Sequence, residues 1–199
     1  MTVTWSEPHV GSVCLDVCCG TGDLARMLAQ QVGTEGQVYG LDFSTGQLAI
    51  AQQRSLQSSH FRSIRWVEGD ALQLPFNDSQ FDAATMGYGL RNVTDIPRSL
   101  QELCRVLKPG GKVAILDFHR PSNSQFRTFQ QWYLDHFVVP LAEGMGLRDE
   151  YAYIGPSLDR FPMGSEQVDL AYQAGFSKAV HYPIAAGMMG VLVATKGSH

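Results

Sequence analysis

Short apolar runs near residues 12–17, 37–41, 64–67, 81–86 and 112–118 alternate with stretches whose apolar positions recur at helical spacing. The runs predict buried strands and the stretches predict amphipathic helices. Leu24, Met27 and Leu28 make the first helical stripe. Ser44-x-x-Gln47 is a capping-box pattern for a helix through Ala51. Asp95 followed by Pro97 opens a helix whose Leu100, Leu103, Cys104 and Leu107 share one face. Gly110-Gly111 then turns the chain into the next strand. Such alternation predicts an α/β fold with parallel strands, right-handed crossovers and helices on both faces. The regularity breaks at residues 122–162, which are aromatic-rich with helical spacing and read as an insertion. A last helix over 166–174, stopped by Gly175, precedes strands near 178–184 and 189–195, which suit an antiparallel hairpin. No repeat or linker divides the chain, so residues 1–199 are expected to form one domain.

Composition narrows the function classes. The chain has 199 residues, 17% charged and 44% hydrophobic, enough for one sizeable core and unlike a disordered tail. Net charge is −4 and Lys and Arg form no run, which disfavours nucleic-acid binding. No apolar run is long enough to span a bilayer as a helix. The four cysteines make no Cys-x-x-Cys pair and the histidines are scattered, so no metal site is expected. Free thiols and the absence of an opening signal segment point to the cytoplasm.

Candidate chemistry gathers at the carboxyl ends of the predicted strands, where doubly wound sheets bind ligands. The first strand runs into Asp16-Val17-Cys18-Cys19-Gly20-Thr21-Gly22. Glycines there let backbone approach a ligand closely, but Ala25 stands where a dinucleotide fingerprint wants its third glycine. An acid beside the loop suits instead the zwitterionic amino-acid end of S-adenosyl-L-methionine (SAM). The second strand ends in Asp42-Phe43, an acid placed to accept both ribose hydroxyls of either cofactor. The third runs into Gly69-Asp70-Ala71. With Leu74-Pro75-Phe76, Phe81-Asp82 and Val106-Leu107-Lys108-Pro109-Gly110-Gly111-Lys112 following in order, the chain resembles class I SAM-dependent methyltransferases. That resemblance implies a Rossmann-like, seven-stranded, mostly parallel sheet closed by a C-terminal antiparallel hairpin. It also implies adenine contacts at Asp70 and Ala71.

A narrower resemblance is carried by Met86-Gly87-Tyr88-Gly89-Leu90-Arg91-Asn92-Val93 and by Tyr151-x-Tyr153-Ile154-x-x-Ser157-Leu158-x-x-Phe161-Pro162. Both are similar to signatures of the ubiquinone/menaquinone C-methyltransferases. Val138-Val139-Pro140, Gly146-Leu147 and Gly190-Val191-Leu192-Val193-Ala194-Thr195 look nearest to the branch that makes phylloquinone in photosynthetic lineages. The resemblance implies methyl transfer from SAM to a ring carbon of a prenylated naphthoquinol, without a metal. It implies cofactor contacts at Asp16, Cys18, Gly20, Thr21, Gly22, Asp42, Phe43, Asp70, Ala71 and Gly87. A bilayer-borne acceptor implies transient contact with the surface of a quinone-containing membrane such as the thylakoid. Relatives carry a helical segment before the first strand that helps cover the cofactor. Only residues 1–11 precede it here, so the lid is expected to be missing from this sequence, either because the chain is a shortened form starting at an internal Met or because the lid is absent.

Three residues of the narrower motif are the expected catalytic set, each with a plainer reading beside it. Arg91 would stabilise a phenolate, or else serve as an ion-pair or capping residue. Asn92 would fix a ring oxygen, or else build a turn. Tyr88 would hydrogen-bond the acceptor, or else pack the wall. His119 stands where a general base could, though a lone loop histidine is more often solvated, and Asp117 suits an anchor for loop backbone. The aromatics at 126–161 would grip a prenyl tail as a group. Two rival readings are a methyltransferase for another apolar acceptor and a non-catalytic SAM-binding protein.

Overall fold

The computed structural model describes residues 1–56, 61, 63–119 and 160–198. After a short helix α1 (Thr2–Trp5), the chain alternates β1 (Val13–Val17), α2 (Asp23–Val32), β2 (Gln37–Asp42), α3 (Thr45–Ser55), β3 (Ile64–Glu68) and β4 (Phe81–Gly87). A 3-10 turn (Leu90–Asn92) leads into α4 (Ile96–Val106) and β5 (Leu107–Phe118). The described chain then closes with α5 (Gly164–Gln173), β6 (Phe176–Ile184) and β7 (Met189–Lys196). The strands form one seven-stranded sheet in the order β3-β2-β1-β4-β5-β7-β6. β1 to β5 pair in parallel, and β7 runs antiparallel to both β5 and β6, as the sequence leads one to expect.

Period-two alternation in the strands builds a core on each face. In β1, Cys14 faces Ala25, Leu28, Ala29 and Val32 of α2, while Leu15 and Val17 face the side that holds Leu100 and Leu103 of α4 and Ala171 of α5. Strand order reverses between β1 and β4, so the crevice at their carboxyl ends is the switch point where such sheets take ligands.

Local signals account for most boundaries, with instructive departures. Asp95 caps α4 by accepting the Arg98 N–H at 2.9 Å, and Pro97 sits in the first turn. Ser44 caps α3 by accepting the Gln47 N–H at 3.3 Å, but its own N–H goes to Asp42 Oδ1 at 2.9 Å, so an aspartate takes the place that the capping-box reading gives to Gln47. β5 begins at Leu107 rather than near residue 112. Leu107 pairs with Phe81, the chain loops outward, and pairing resumes at Lys112 with Ala83. Gly110 adopts φ +79° in that loop, and a Cβ on Gly111 would lie 2.9 Å from the Lys108 carbonyl oxygen. The glycine turn is therefore embedded in the strand rather than preceding it. α5 starts at Gly164, ahead of residue 166, because the Glu166 carboxylate reaches back to accept the Met163 N–H at 2.6 Å.

Most of the aromatic 122–162 segment lies outside the described residues, as does the signature beginning at Tyr151 except for its last two residues, Phe161 and Pro162. Phe161, at its end, is buried in the core on the α4–α5 side. Among the described residues no helix is long and apolar enough to cross a membrane.

Candidate active site

The first half of the candidate site starts from a buried carboxylate. Asp16, next to last in β1, is 1% exposed. Its Oδ1 accepts the Thr85 hydroxyl at 2.8 Å, while the buried Oδ2 has no well-formed hydrogen bond among the described residues, although the Ala25 backbone N–H stands near enough to favour the charged carboxylate. Burial pushes the Asp16 carboxyl up to about 7. Thr85 was missed by the sequence reading, although a hydroxyl inside the apolar run 83–86 marks it.

Above Asp16 the loop 18–22 winds through positive φ at Cys18, Gly20 and Gly22, at 54°, 53° and 81°. The two glycines differ in purpose. A Cβ on Gly22 would strike the Trp66 ring, whereas one on Gly20 would meet nothing within 4 Å. Gly22 is set by packing and Gly20 faces open space. Burial pushes the Cys18 thiol up to about 12 and raises Cys19 as well, so both stay protonated thiols near neutrality.

Asp42, at the end of β2, gathers the surrounding elements. Its Oδ2 accepts the Gly20 N–H at 2.7 Å, its Oδ1 the Ser44 N–H at 2.9 Å, and its backbone carbonyl the Gly69 N–H at 3.1 Å. Phe43 beside it is 81% exposed. Asp70 Oδ1 accepts the Leu72 N–H at 2.8 Å, shaping the loop after β3 in which Ala71 is buried. Gly87 closes β4 against Leu24. The Thr21 hydroxyl is bonded to Arg54 at 2.7 Å and Asp23 at 3.2 Å.

The second half is the turn after β4. Tyr88 sits at φ +57°, and its carbonyl accepts both Arg91 Nη1 and Asn92 Nδ2 at 3.1 Å. Arg91 Nη1 meets Asp117 Oδ1 at 2.5 Å, the Arg91 N–H meets Asp117 Oδ2 at 3.1 Å, and the Phe118 N–H meets Oδ1 at 2.8 Å. The guanidinium carbon lies 5.1 Å from the Phe118 ring and 6.0 Å from the Tyr88 ring. Arg91 Nε is buried with no hydrogen-bond partner among the described residues. The plainer readings are thus present in the geometry: Arg91 makes an ion pair, Asn92 ties a turn, and Tyr88 packs on Phe118 at 5.0 Å. Burial raises the Asp117 carboxyl while Arg91 pulls it back, and burial also raises the Tyr88 phenol. His119 is not a solvated loop residue. It is 8% exposed and packs on His181 at 4.7 Å, because β6 brings a second histidine the sequence reading left unplaced. Burial and His119 push His181 down to about 4.

The two halves touch. A Cβ on Gly89 would lie 2.6 Å from Cys18 Cβ, so the glycine loop and the Arg91 turn are in contact across the β1–β4 crevice.

The model of the ubiE/COQ5 methyltransferase family matches residues 1–196. The chain belongs to this family. Within the ubiE/COQ5 methyltransferases, it is 65% identical over 196 residues to the 2-phytyl-1,4-naphtoquinone methyltransferase of Trichormus variabilis, covering 98% of this chain and 86% of that protein. It is 51% identical over 199 residues to the chloroplastic 2-phytyl-1,4-beta-naphthoquinone methyltransferase of Arabidopsis thaliana, covering 98% of this chain and 76% of that protein. Among solved structures, a SAM-dependent methyltransferase from Aquifex aeolicus superimposes with a TM-score of 0.67 at 18% identity, over 94% of this chain and 83% of that one, a likeness of fold. Membership in the ubiE/COQ5 family makes SAM the co-substrate. The residues present fit it: the unpartnered, buried Asp16 oxygen calls for a cation or donor, and SAM brings an ammonium group and a sulfonium.

The upward shift of Asp16 ties the stability of the fold to pH. The folded state holds its proton more tightly than the unfolded chain, so the stabilisation is full below pH 3.8 and is lost as pH rises through about 7. The ligand-free protein should therefore lose thermal stability over that window, and Asp16→Asn should flatten this part of the curve. Differential scanning fluorimetry from pH 4 to 8 checks it; equal slopes for both proteins would remove Asp16 as the cause.

Proposed function

We propose that this protein transfers the methyl group of SAM to the ring carbon of 2-phytyl-1,4-naphthoquinol, the reduced form of the compound for which its relatives are named, in phylloquinone biosynthesis. The observation that carries the reading is the contact between the glycine loop and the Arg91 turn, which sets a cofactor cradle beside a cationic, aromatic-walled corner.

SAM supplies a methyl group activated by its sulfonium, so the protein's task is positioning and charge control. Asp16 faces the amino-acid end, with backbone of Cys18, Gly20 and Gly22 lining the approach. Asp42 keeps carboxylate lone pairs for the ribose beyond the two amides it already holds. Phe43, Asp70 and Ala71 border the adenine, and Gly87 the methionine side. Thr21 contributes by holding Arg54 against the loop. On the acceptor side, Arg91 stabilises the phenolate through guanidinium atoms that Asp117 leaves free, while Asn92 and Tyr88 shape the turn that aims it. A quinone ring is electrophilic, so the acceptor carbon becomes nucleophilic only after reduction and loss of a phenolic proton. The new C–CH3 bond forms as the S–CH3 bond breaks, and the ring then releases its displaced proton. The phytyl tail stays in the quinone-bearing membrane, such as the thylakoid, which the protein meets at its surface.

Turnover should depend on a reductant able to convert the naphthoquinone to the quinol. A methyl-transfer assay with and without dithionite checks it. Equal rates with the oxidised compound under non-reducing conditions would overturn the mechanism, and SAM binding without turnover on any quinol would favour a binding protein.

A further inference from the structure

The polar face of α4 has no part in the chemistry described so far, yet it is bound to the loop after β3. Arg98, Glu102 and Arg105 fall at helical spacing on one side of the helix. The Glu102 carboxylate, 4% exposed, accepts the Leu74 N–H at 2.8 Å. It also accepts a two-pronged pair from Arg105, with Nε to Oε1 at 3.0 Å and Nη2 to Oε2 at 2.7 Å. Arg98 Nη2 stands 3.2 Å from its Oε1. The two arginines then turn outward to the loop backbone. Arg98 Nε donates to the Leu72 carbonyl at 3.1 Å, and Arg105 donates to the carbonyls of Leu74 at 3.0 Å and Phe76 at 2.8 Å. Arg105 also meets Asp78 at 2.8 Å.

The pattern has a consistent logic. Alternate carbonyls of one turning segment, at residues 72, 74 and 76, are held by guanidinium groups whose positions are fixed by one buried carboxylate. Loop backbone is normally satisfied by water and correspondingly mobile. Here it is satisfied by a helix, and the held segment begins immediately after Asp70 and Ala71. Pre-set geometry of that kind lowers the ordering cost of a ligand.

We infer that Arg98, Glu102 and Arg105 form a clamp on α4 that holds the Asp70–Ala71 loop in its adenine-binding shape, so that Glu102 and Arg98 are positioning residues for the cofactor. The inference rests on the placement of adenine at Asp70 and Ala71 argued under the proposed function. Because α4 starts just beyond the Arg91 turn, the same helix gives both halves of the site a common footing.

The test uses the whole protein and two variants, with S-adenosylhomocysteine as the probe and S-ribosylhomocysteine, which lacks the adenine, as its comparison. Arg98→Ala removes the Leu72 bond from a side chain that is 48% exposed, so folding should be preserved. Glu102→Gln removes the charge that organises both arginines. Calorimetry should show S-adenosylhomocysteine binding weakened about threefold to tenfold by Arg98→Ala and about tenfold or more by Glu102→Gln, the scale of one to two lost charge-assisted hydrogen bonds. S-Ribosylhomocysteine should bind all three proteins alike. In turnover, KM for SAM should rise with kcat and the quinol KM nearly unchanged. Equal losses for both probes, or none for either, would make the network a brace for the fold and overturn the inference. Should Glu102→Gln fail to fold, Arg98→Ala decides alone. Quinol turnover is not needed for the binding arm: wild-type protein that binds S-adenosylhomocysteine but methylates no quinol defeats the functional reading and leaves the clamp standing. No difference between the probes on the wild-type protein defeats the adenine placement itself.

Discussion

Asp42→Ala will weaken SAM and S-adenosylhomocysteine together, by about a hundredfold, a few kcal/mol for the loss of a charge-assisted ribose contact. The two ligands share the ribose, so both should suffer equally. The geometry adds a second source of loss. Asp42 also holds the Gly20 and Ser44 amides, so its removal frees the glycine loop and the start of α3 at once. Asp42→Asn, which retains one carbonyl acceptor, should lie between wild type and Ala. Calorimetric titration with both ligands measures this, and unchanged affinity for the pair would take Asp42 out of the site.

Arg91→Ala should have two separable effects. If Arg91 steadies phenolate charge, kcat falls by about 10²–10³ with little change in SAM affinity, the scale of one lost charge-stabilising donor. Independently, Asp117, at 4% exposure, loses its charge partner and keeps only the backbone N–H groups of residues 91 and 118, which should cost up to about 3–5 kcal/mol of stability. The double variant Arg91→Ala/Asp117→Asn divides the two. Neutralising Asp117 should restore much of the melting temperature while turnover stays low. A double variant that regains near wild-type turnover would leave Arg91 as an ion-pair residue only. Arg91→Lys should rescue partly, since it keeps the charge but loses the planar fork.

What was legible in the sequence were features set by neighbours along the chain. Strand ends, glycine loops and helix caps depend on local conformation, so Asp16, Gly20, Asp42 and Asp70 could be placed at or just beyond the carboxyl ends of the strands from spacing alone. The partners of those residues could not. The Asp16–Thr85 bond joins residues 69 apart and the Arg91–Asp117 pair residues 26 apart, and only strand order makes them adjacent. The same holds for His119, whose burial depends on β6 delivering His181 from beyond the segment that is not described. Ser44 shows the limit on a smaller scale. Its pattern names the right helix start, but the closing partner is an aspartate fixed by the site rather than the glutamine fixed by the motif.

Trp66 carries a practical consequence. Its ring fills the space in front of both Gly22 and Gly40, directly beneath the backbone that turns towards the ligand crevice. An indole in van der Waals contact with that loop is an optical reporter already built into the chain. A shift of the loop alters the polarity and quenching around the ring, so ligand arrival registers in its emission without an attached dye. The same contact makes two positions depend on a third: a side chain can be gained at residue 22 or 40 only where the ring at 66 is given up or moved.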